Sequence, residues 1–202
     1  MRHPLLAAAL LALPLSALAD GFSYTYADAR YAFSDSDAVS VQFDGPALSG
    51  AYALPDDLVG FPGLYVSGGF AFQQSDTFSD GTSSGEAQGW SGNLRIGAHH
   101  ALTPTLDVLA NAGAAYGKIK GKGGFSGFSD DEVSYVVAGG LRAQVIAGLE
   151  LEAGYEYSGL FDADASFLVG AEYRFTPNFS AVADARYAGS ADQYSVGGRY
   201  NF

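Results

Sequence analysis

Residues 194–202, YSVGGRYNF, decide the fold. In an extended chain successive side chains point to opposite faces. Tyr194, Val196, Gly198, Tyr200 and Phe202 therefore share one face, and Ser195, Gly197, Arg199 and Asn201 share the other. An alternating strand that ends on an exposed hydrophobic aromatic suits a lipid boundary better than water, with its polar face turned to a barrel interior.

The pattern repeats upstream. Residues 166–175 turn Phe167, Val169, Ala171, Tyr173 and Phe175 one way and Ser166, Leu168, Gly170, Glu172 and Arg174 the other. Residues 179–188 set Phe179, Ala181, Ala183, Ala185 and Tyr187 against Ser180, Asp184 and Arg186. Charges fall almost entirely on the second face. A β-sandwich would bury the apolar face; here that face carries alanines with large aromatics at the strand ends, as lipid-facing girdles do.

Composition agrees with strands. The chain holds 27 Gly, 13 Tyr and 14 Phe against one Met and one Trp, which favours strands and tight turns over helices. A mean hydropathy of +0.08 is what alternation produces, because only every second position is apolar. No segment after residue 19 approaches the roughly 18 uninterrupted apolar residues of a membrane helix. Without cysteine neither disulfides nor thiolate metal sites are available, and no cofactor or metal is expected. A net charge of −12 argues against nucleic acid as a partner, since no basic patch would neutralise a phosphate backbone.

Residues 1–19 read as a signal peptide: Arg2 and His3 form a short basic start, residues 4–15 are almost wholly apolar, and Ala17-Leu18-Ala19 offers a cleavage site before Asp20. Residues 20–202 are then one exported domain.

Three connectors share one form: Leu102-Thr-Pro-Thr-Leu106, Val145-Ile-Ala-Gly-Leu149 and Phe175-Thr-Pro-Asn-Phe179. Each is expected to be a three-residue link of a hairpin. The longer Ser-, Asp- and Gly-rich segments 34–45, 75–88, 120–131, 160–165 and 189–192 read as loops at the opposite end. About ten strands fit between them, near 22–33, 47–54, 63–74, 89–102, 105–118, 133–146, 149–159, 166–175, 179–188 and 193–202. The fold expected is an all-β, antiparallel up-and-down transmembrane β-barrel. The unusual connector 55–62, PDDLVGFP, keeps eight strands as the alternative. In the first strand Phe22, Tyr24, Tyr26, Asp28 and Arg30 share one parity while Ala27, Ala29, Tyr31 and Phe33 share the other. Either those tyrosines point inward or a β-bulge shifts the phase near Ala27.

The polar faces assemble an expected lumen network. Its acids are Asp28, Asp107, Glu150, Glu152, Glu156, Glu172 and Asp184, and its bases Arg30, Arg95, Arg142, Arg174, Arg186 and Arg199. Pairing Val145 with Leu149 brings Arg142 opposite Glu152 and Gln144 opposite Glu150, so opposite charges are expected to meet directly across a strand pair. Arginine suits bidentate pairing with buried carboxylates. Barrels of about eight strands are just wide enough for side chains to fill, so salt bridges are expected to plug the lumen. A narrow small-solute pore is the alternative.

An enzyme is not expected. Beyond the signal segment only His99 and His100 are available, near the Leu102 turn and away from the loop rim, and no Ser/His/Asp constellation forms there. Lys118, Lys120 and Lys122 form the one basic cluster, at the loop end of a strand where lipopolysaccharide phosphates would sit. Asp35, Asp37, Asp76, Asp80, Asp130, Asp131, Asp162 and Asp164 make the loops acidic, without the spacing of a calcium loop.

On its Asp20–Tyr26 start (DGFSYTY), its T-P-x turns and its aromatic C-terminus, the chain resembles the Gram-negative outer-membrane β-barrel family. The likeness is to its small OmpA-like or OmpX-like members and to gammaproteobacterial barrels of unassigned activity. The resemblance implies an integral outer-membrane location after export to the periplasm. It also implies that Tyr194, Val196, Tyr200 and Phe202 carry the signal read by the barrel-assembly machinery, with outer-membrane lipid and lipopolysaccharide as surroundings. It implies no substrate. A structural or surface-interaction role is the leading expectation, a pore the second, and a rim-located enzyme the third.

Overall fold

In a computed structural model the described residues are 22–36, 41–76, 78–79, 84–123, 129–160, 164–189 and 191–202. The expected signal peptide lies outside them. The strands are β1 (Tyr26–Ser36), β2 (Val41–Ala53), β3 (Leu64–Ser75), β4 (Phe78–Ser79), β5 (Ser84–Thr103), β6 (Leu106–Gly123), β7 (Ser129–Ile146), β8 (Leu149–Ser158), β9 (Asp164–Arg174), β10 (Phe179–Tyr187) and β11 (Ala191–Asn201). β4 is a two-residue stub on β5. The other ten pair with their sequence neighbours, β1 pairs with β11, and β3 pairs with β5, which closes an all-antiparallel ring. Closure leaves no sheet edge facing lipid, where an unpaired backbone group is costly.

Ten strands, not eight, form because segment 55–62 spends its apolar residues on a connection. A single helical turn, α1 (Asp56–Val59), ends at Gly60 with φ 66° and hands the chain to β3. Two of the three short turns are tighter than expected. Thr103 pairs with Leu106, and Ile146 with Leu149, leaving two-residue turns and a register shift just before each. Gly148, at φ 78°, accepts a backbone conformation that a side chain would disfavour. The third connection keeps its three-residue link: Phe175 donates its N–H to Phe179 O at 3.1 Å.

At the loop end the strands run further than polarity suggested. Residues 34–36, 41–45, 84–88, 120–123 and 129–131, expected in loops, continue the strands. The ladder needs only backbone groups, and above a membrane both faces of a strand meet water. In β1 the phase never shifts: its register against β2 and β11 is continuous. Tyr24, Asp28 and Ala32 are buried, while Tyr31 and Phe33 are exposed. The tyrosines before Asp28 therefore point inward.

The outer face is apolar. Leu48, Phe70, Leu94, Ile96, Val133, Leu141, Val145 and Val196 are among its exposed side chains. Toward the turn end Phe179, Tyr200 and Phe202 form edge-to-face contacts with centroids 5.0 and 4.9 Å apart. Toward the loop end Tyr187 and Tyr194 meet edge to face, Tyr135 and Tyr157 stack, and Tyr155 and Phe167 pack at a tilt. From Tyr194 to Phe202 is eight residues, about 27 Å of strand, or roughly 20 Å of membrane depth at the usual tilt. No helix among the described residues is long and apolar enough to cross a membrane; the strands supply the apolar band.

Candidate functional site

The charged lumen is the densest chemistry in the molecule, and one half of the wall carries most of it. Glu150 on β8 and Glu172 on β9 sit directly opposite each other, an unfavourable placement for like charges. Arg142 on β7 resolves it, with Nη2 2.5 Å from Glu150 and 3.1 Å from Glu172. Arg174 takes the other Glu150 oxygen at 2.9 Å. Arg199 on β11 reaches Glu172 at 2.6 Å and grips both oxygens of Asp28 at 2.7 and 2.9 Å. Ser180 Oγ donates to Glu172 at 2.7 Å. Arg30 joins Asp28 at 2.6 Å and also pairs with Asp184, which accepts from Ser195 Oγ at 2.6 Å. Nearer the loop end Glu156 is held by Arg95 at 2.6 Å and Arg186 at 2.9 Å. In this belt each of the five carboxylates has at least one arginine partner, the condition for burying charge at tolerable cost.

Seven acids face six arginines, and the geometry identifies the two left over. Asp107 has no arginine; it accepts from Tyr24 Oη at 3.0 Å and lies 3.1 Å from His99 Nδ1. Glu152 makes no hydrogen bond or ion pair with any described residue. Its register partner is Arg142, as the pairing predicts, but the expected Arg142–Glu152 ion pair does not form. Two facing carboxylates one step toward the turn end outcompete the single one directly opposite.

Sequence reasoning missed what closes the turn end. Before β1, Thr25 is anchored by Ala53 N–H to its hydroxyl and Phe202 N–H to its carbonyl, both at 3.1 Å. The preceding residues then cross the barrel mouth. Ser23 O accepts from Arg142 Nη1 at 3.0 Å on the far wall. The Tyr24 ring stacks on His99 with centroids 3.7 Å apart and lies 5.2 Å from Tyr65. The Arg142 guanidinium sits over the Phe22 and Tyr24 rings at 5.2 and 5.5 Å. Tyr24, Ala51 and Tyr65 form a small hydrophobic core there, flanked by Phe22, Tyr26 and Ala53. The available signal was the parity of Phe22, Tyr24 and Tyr26, aromatics on the face that carries Asp28.

The other half of the lumen wall is lined by small side chains. Ala47, Ser49, Gly69, Ala71, Ser91 and Asn93 face inward from β2, β3 and β5, and Tyr65 fits because it covers Gly97, where a Cβ would collide with its ring. Along this wall lie two cavities. One, of about 390 Å³, extends up to Ser158, Arg186 and Gln193; the other, of about 230 Å³, ends on Tyr24 and Tyr65. They share Tyr26, Ser49, Gly69, Asn93, Arg95, Arg142, Glu152 and Arg199 in their linings.

Lys118, Lys120 and Lys122 alternate with inward residues, so all three project from the outer face of β6 just beyond Tyr116. Lys118 is 3.5 Å from Asp131, Lys120 lies 5.7 Å from the Trp90 ring, and Lys122 is opposite Glu86. Of the expected loop aspartates, Asp37, Asp80 and Asp162 lie outside the described residues. His100 is exposed on the outer face. Tyr194, Val196, Tyr200 and Phe202, expected to be the assembly signal, line the outer face of β11 and its end, with Phe202 74% exposed.

A family model described as "Outer membrane protein beta-barrel domain" matches residues 5–202. No curated protein sequence matches the chain. Among solved structures, the translocator domain of autotransporter NalP from Neisseria meningitidis is 17% identical with a TM-score of 0.50, covering 93% of this chain and 91% of that one. The KdgM porin is 13% identical with a TM-score of 0.49, covering 88% and 99%. The attachment invasion locus protein Ail of Yersinia pestis is 17% identical with a TM-score of 0.45, covering 90% and 99%. With the family model spanning nearly the whole of a closed, lipid-faced ring of strands, this chain belongs to the outer membrane protein β-barrel domain family.

Proposed function

We propose that this protein is a non-enzymatic integral barrel of the outer membrane whose lumen is closed, and that its role is structural and surface-directed. The observation that carries this reading is the belt in which six arginines bind five carboxylates inside the lumen, together with Tyr24 across the turn-end mouth. Side chains tied into mutual ion pairs narrow the lumen, and Tyr24 covers its turn end. On the outside, Lys118, Lys120 and Lys122 follow Tyr116 one, two and three steps on along the outer face of β6, a spacing and charge that suit lipopolysaccharide phosphates. The narrow-pore alternative is favoured by one observation, the two abutting cavities.

Single-channel recording of the refolded protein in planar bilayers tests the reading. A closed lumen gives a silent bilayer. Steady openings of the unaltered chain would overturn it.

A further inference from the structure

We propose that the barrel contains a latent cation path, running along the small-residue wall of β2, β3, β5 and β6, which the chain's own segment Phe22–Thr25 shuts at the turn end. The proposal rests on the reading of the lumen as closed and names what closes it.

The ion-pair belt does not fill the lumen. Most of it lies on the wall from β7 through β11 to β1, Arg95 of β5 reaches across to Glu156 of β8, and between the belt and the small-residue wall the two cavities abut through shared lining residues. What ends the inner cavity toward the turn end is Tyr24, with Tyr65 beside it. Tyr24 belongs to no strand, so moving it breaks no ladder. Its attachments are the bond to Asp107, the stack on His99, the ring contact with Tyr65, the Arg142 guanidinium over its ring and the Arg142 bond to Ser23 O, while Thr25 stays tied to Ala53 and Phe202 as the hinge. None of these partners is orphaned on release. Asp107 keeps His99, Arg142 keeps Glu150 and Glu172, and water entering the mouth replaces the rest. A segment held this way is displaceable, whereas removing any belt arginine would strand a buried carboxylate.

The path's selectivity follows from the leftover charge. In the belt six arginines share five carboxylates, Glu156 alone serving Arg95 and Arg186, and the two remaining acids, Glu152 and Asp107, leave the lumen one negative charge in excess. Glu152 has no hydrogen-bonded counterion among the described residues and borders both cavities. An unpaired carboxylate along a narrow path attracts cations and repels anions, so the permeant class is small hydrated cations.

The test uses the full exported chain, refolded and recorded in potassium chloride, with heat-modifiable gel mobility confirming that each variant is folded. The Phe22→Ala/Tyr24→Ala double variant should raise open probability by roughly tenfold or more, the shift that losing one buried charge-assisted bond implies. Adding Glu152→Gln to that background should lower the cation-to-anion permeability ratio. Should the double variant not fold, Tyr24→Phe removes only the bond to Asp107 and should by itself raise open probability by roughly tenfold. As an independent readout, Ser67→Cys places a thiol on the inner-cavity lining of a cysteine-free chain. It should label faster with an impermeant reagent when combined with Tyr24→Phe. Silence of the folded variants with unchanged labelling would overturn the proposal, as would openings whose selectivity ignores Glu152→Gln. A wild type that already conducts would instead overturn the closed-lumen reading.

Discussion

Replacing Arg142 by methionine removes the guanidinium that sits between two facing carboxylates while keeping an unbranched chain over the Phe22 and Tyr24 rings. Arg142, Glu150 and Glu172 are all nearly inaccessible, with side-chain exposures of 4–6%. Breaking a buried ion pair by deleting one partner costs about 3–5 kcal/mol. Each carboxylate retains one arginine, Arg174 for Glu150 and Arg199 for Glu172, so the lower end, about 3 kcal/mol, is expected. Urea unfolding of protein refolded into lipid vesicles measures this, followed by the fluorescence of Trp90, the chain's single tryptophan. With m near 1–3 kcal/mol/M, the midpoint should fall by about 1–3 M. Adding Glu150→Gln should restore part of that loss, because the two carboxylates no longer repel, and the double-mutant cycle should give a coupling of about 1–2 kcal/mol. A midpoint shift below about 0.3 M at unchanged m would refute the view that Arg142 offsets the Glu150–Glu172 repulsion.

Gly113→Ala should destabilise the barrel by about 1–3 kcal/mol, since its Cβ would press on the Leu94 carbonyl and Arg95 Cα of the adjacent strand; the same unfolding assay reads it. Phe202→Ser should lower the fraction assembled in the outer membrane of cells while leaving the unfolding midpoint of protein refolded in vitro within about 0.5 kcal/mol of wild type. That contrast separates recognition during assembly from stability. The triple variant Lys118→Ala/Lys120→Ala/Lys122→Ala should co-purify with less lipopolysaccharide, and dephosphorylated lipopolysaccharide should not distinguish it from wild type.

Alternation alone made most of the barrel legible. Residues 166–175 and 179–188 show it plainly, and their strands appear as β9 and β10 with the expected faces. The loop-end extensions of β5, β6 and β7 were not legible, because above the membrane neither face needs to be apolar and a polar strand looks like a loop. The turns after Thr103 and Ile146 are one residue shorter than the sequence suggests for a related reason: the bulges after Ala101 and Gln144 leave the apolar residues in place while shifting the pairing. Which face Phe22, Tyr24 and Tyr26 use was open, since aromatics suit either lipid or an occluded mouth.

The sequence by itself determined that a strand ending in Tyr200 and Phe202 belongs in lipid, and that seven acids and six arginines share the interior. Both follow from side-chain parity, which is local. Tertiary structure decided who pairs with whom. Arg142 faces Glu152 by register yet binds Glu150 and Glu172, because the field of two carboxylates is set by β8 meeting β9. Likewise, only closure of the ring brings His99 and Asp107 within reach of a tyrosine that precedes the first strand.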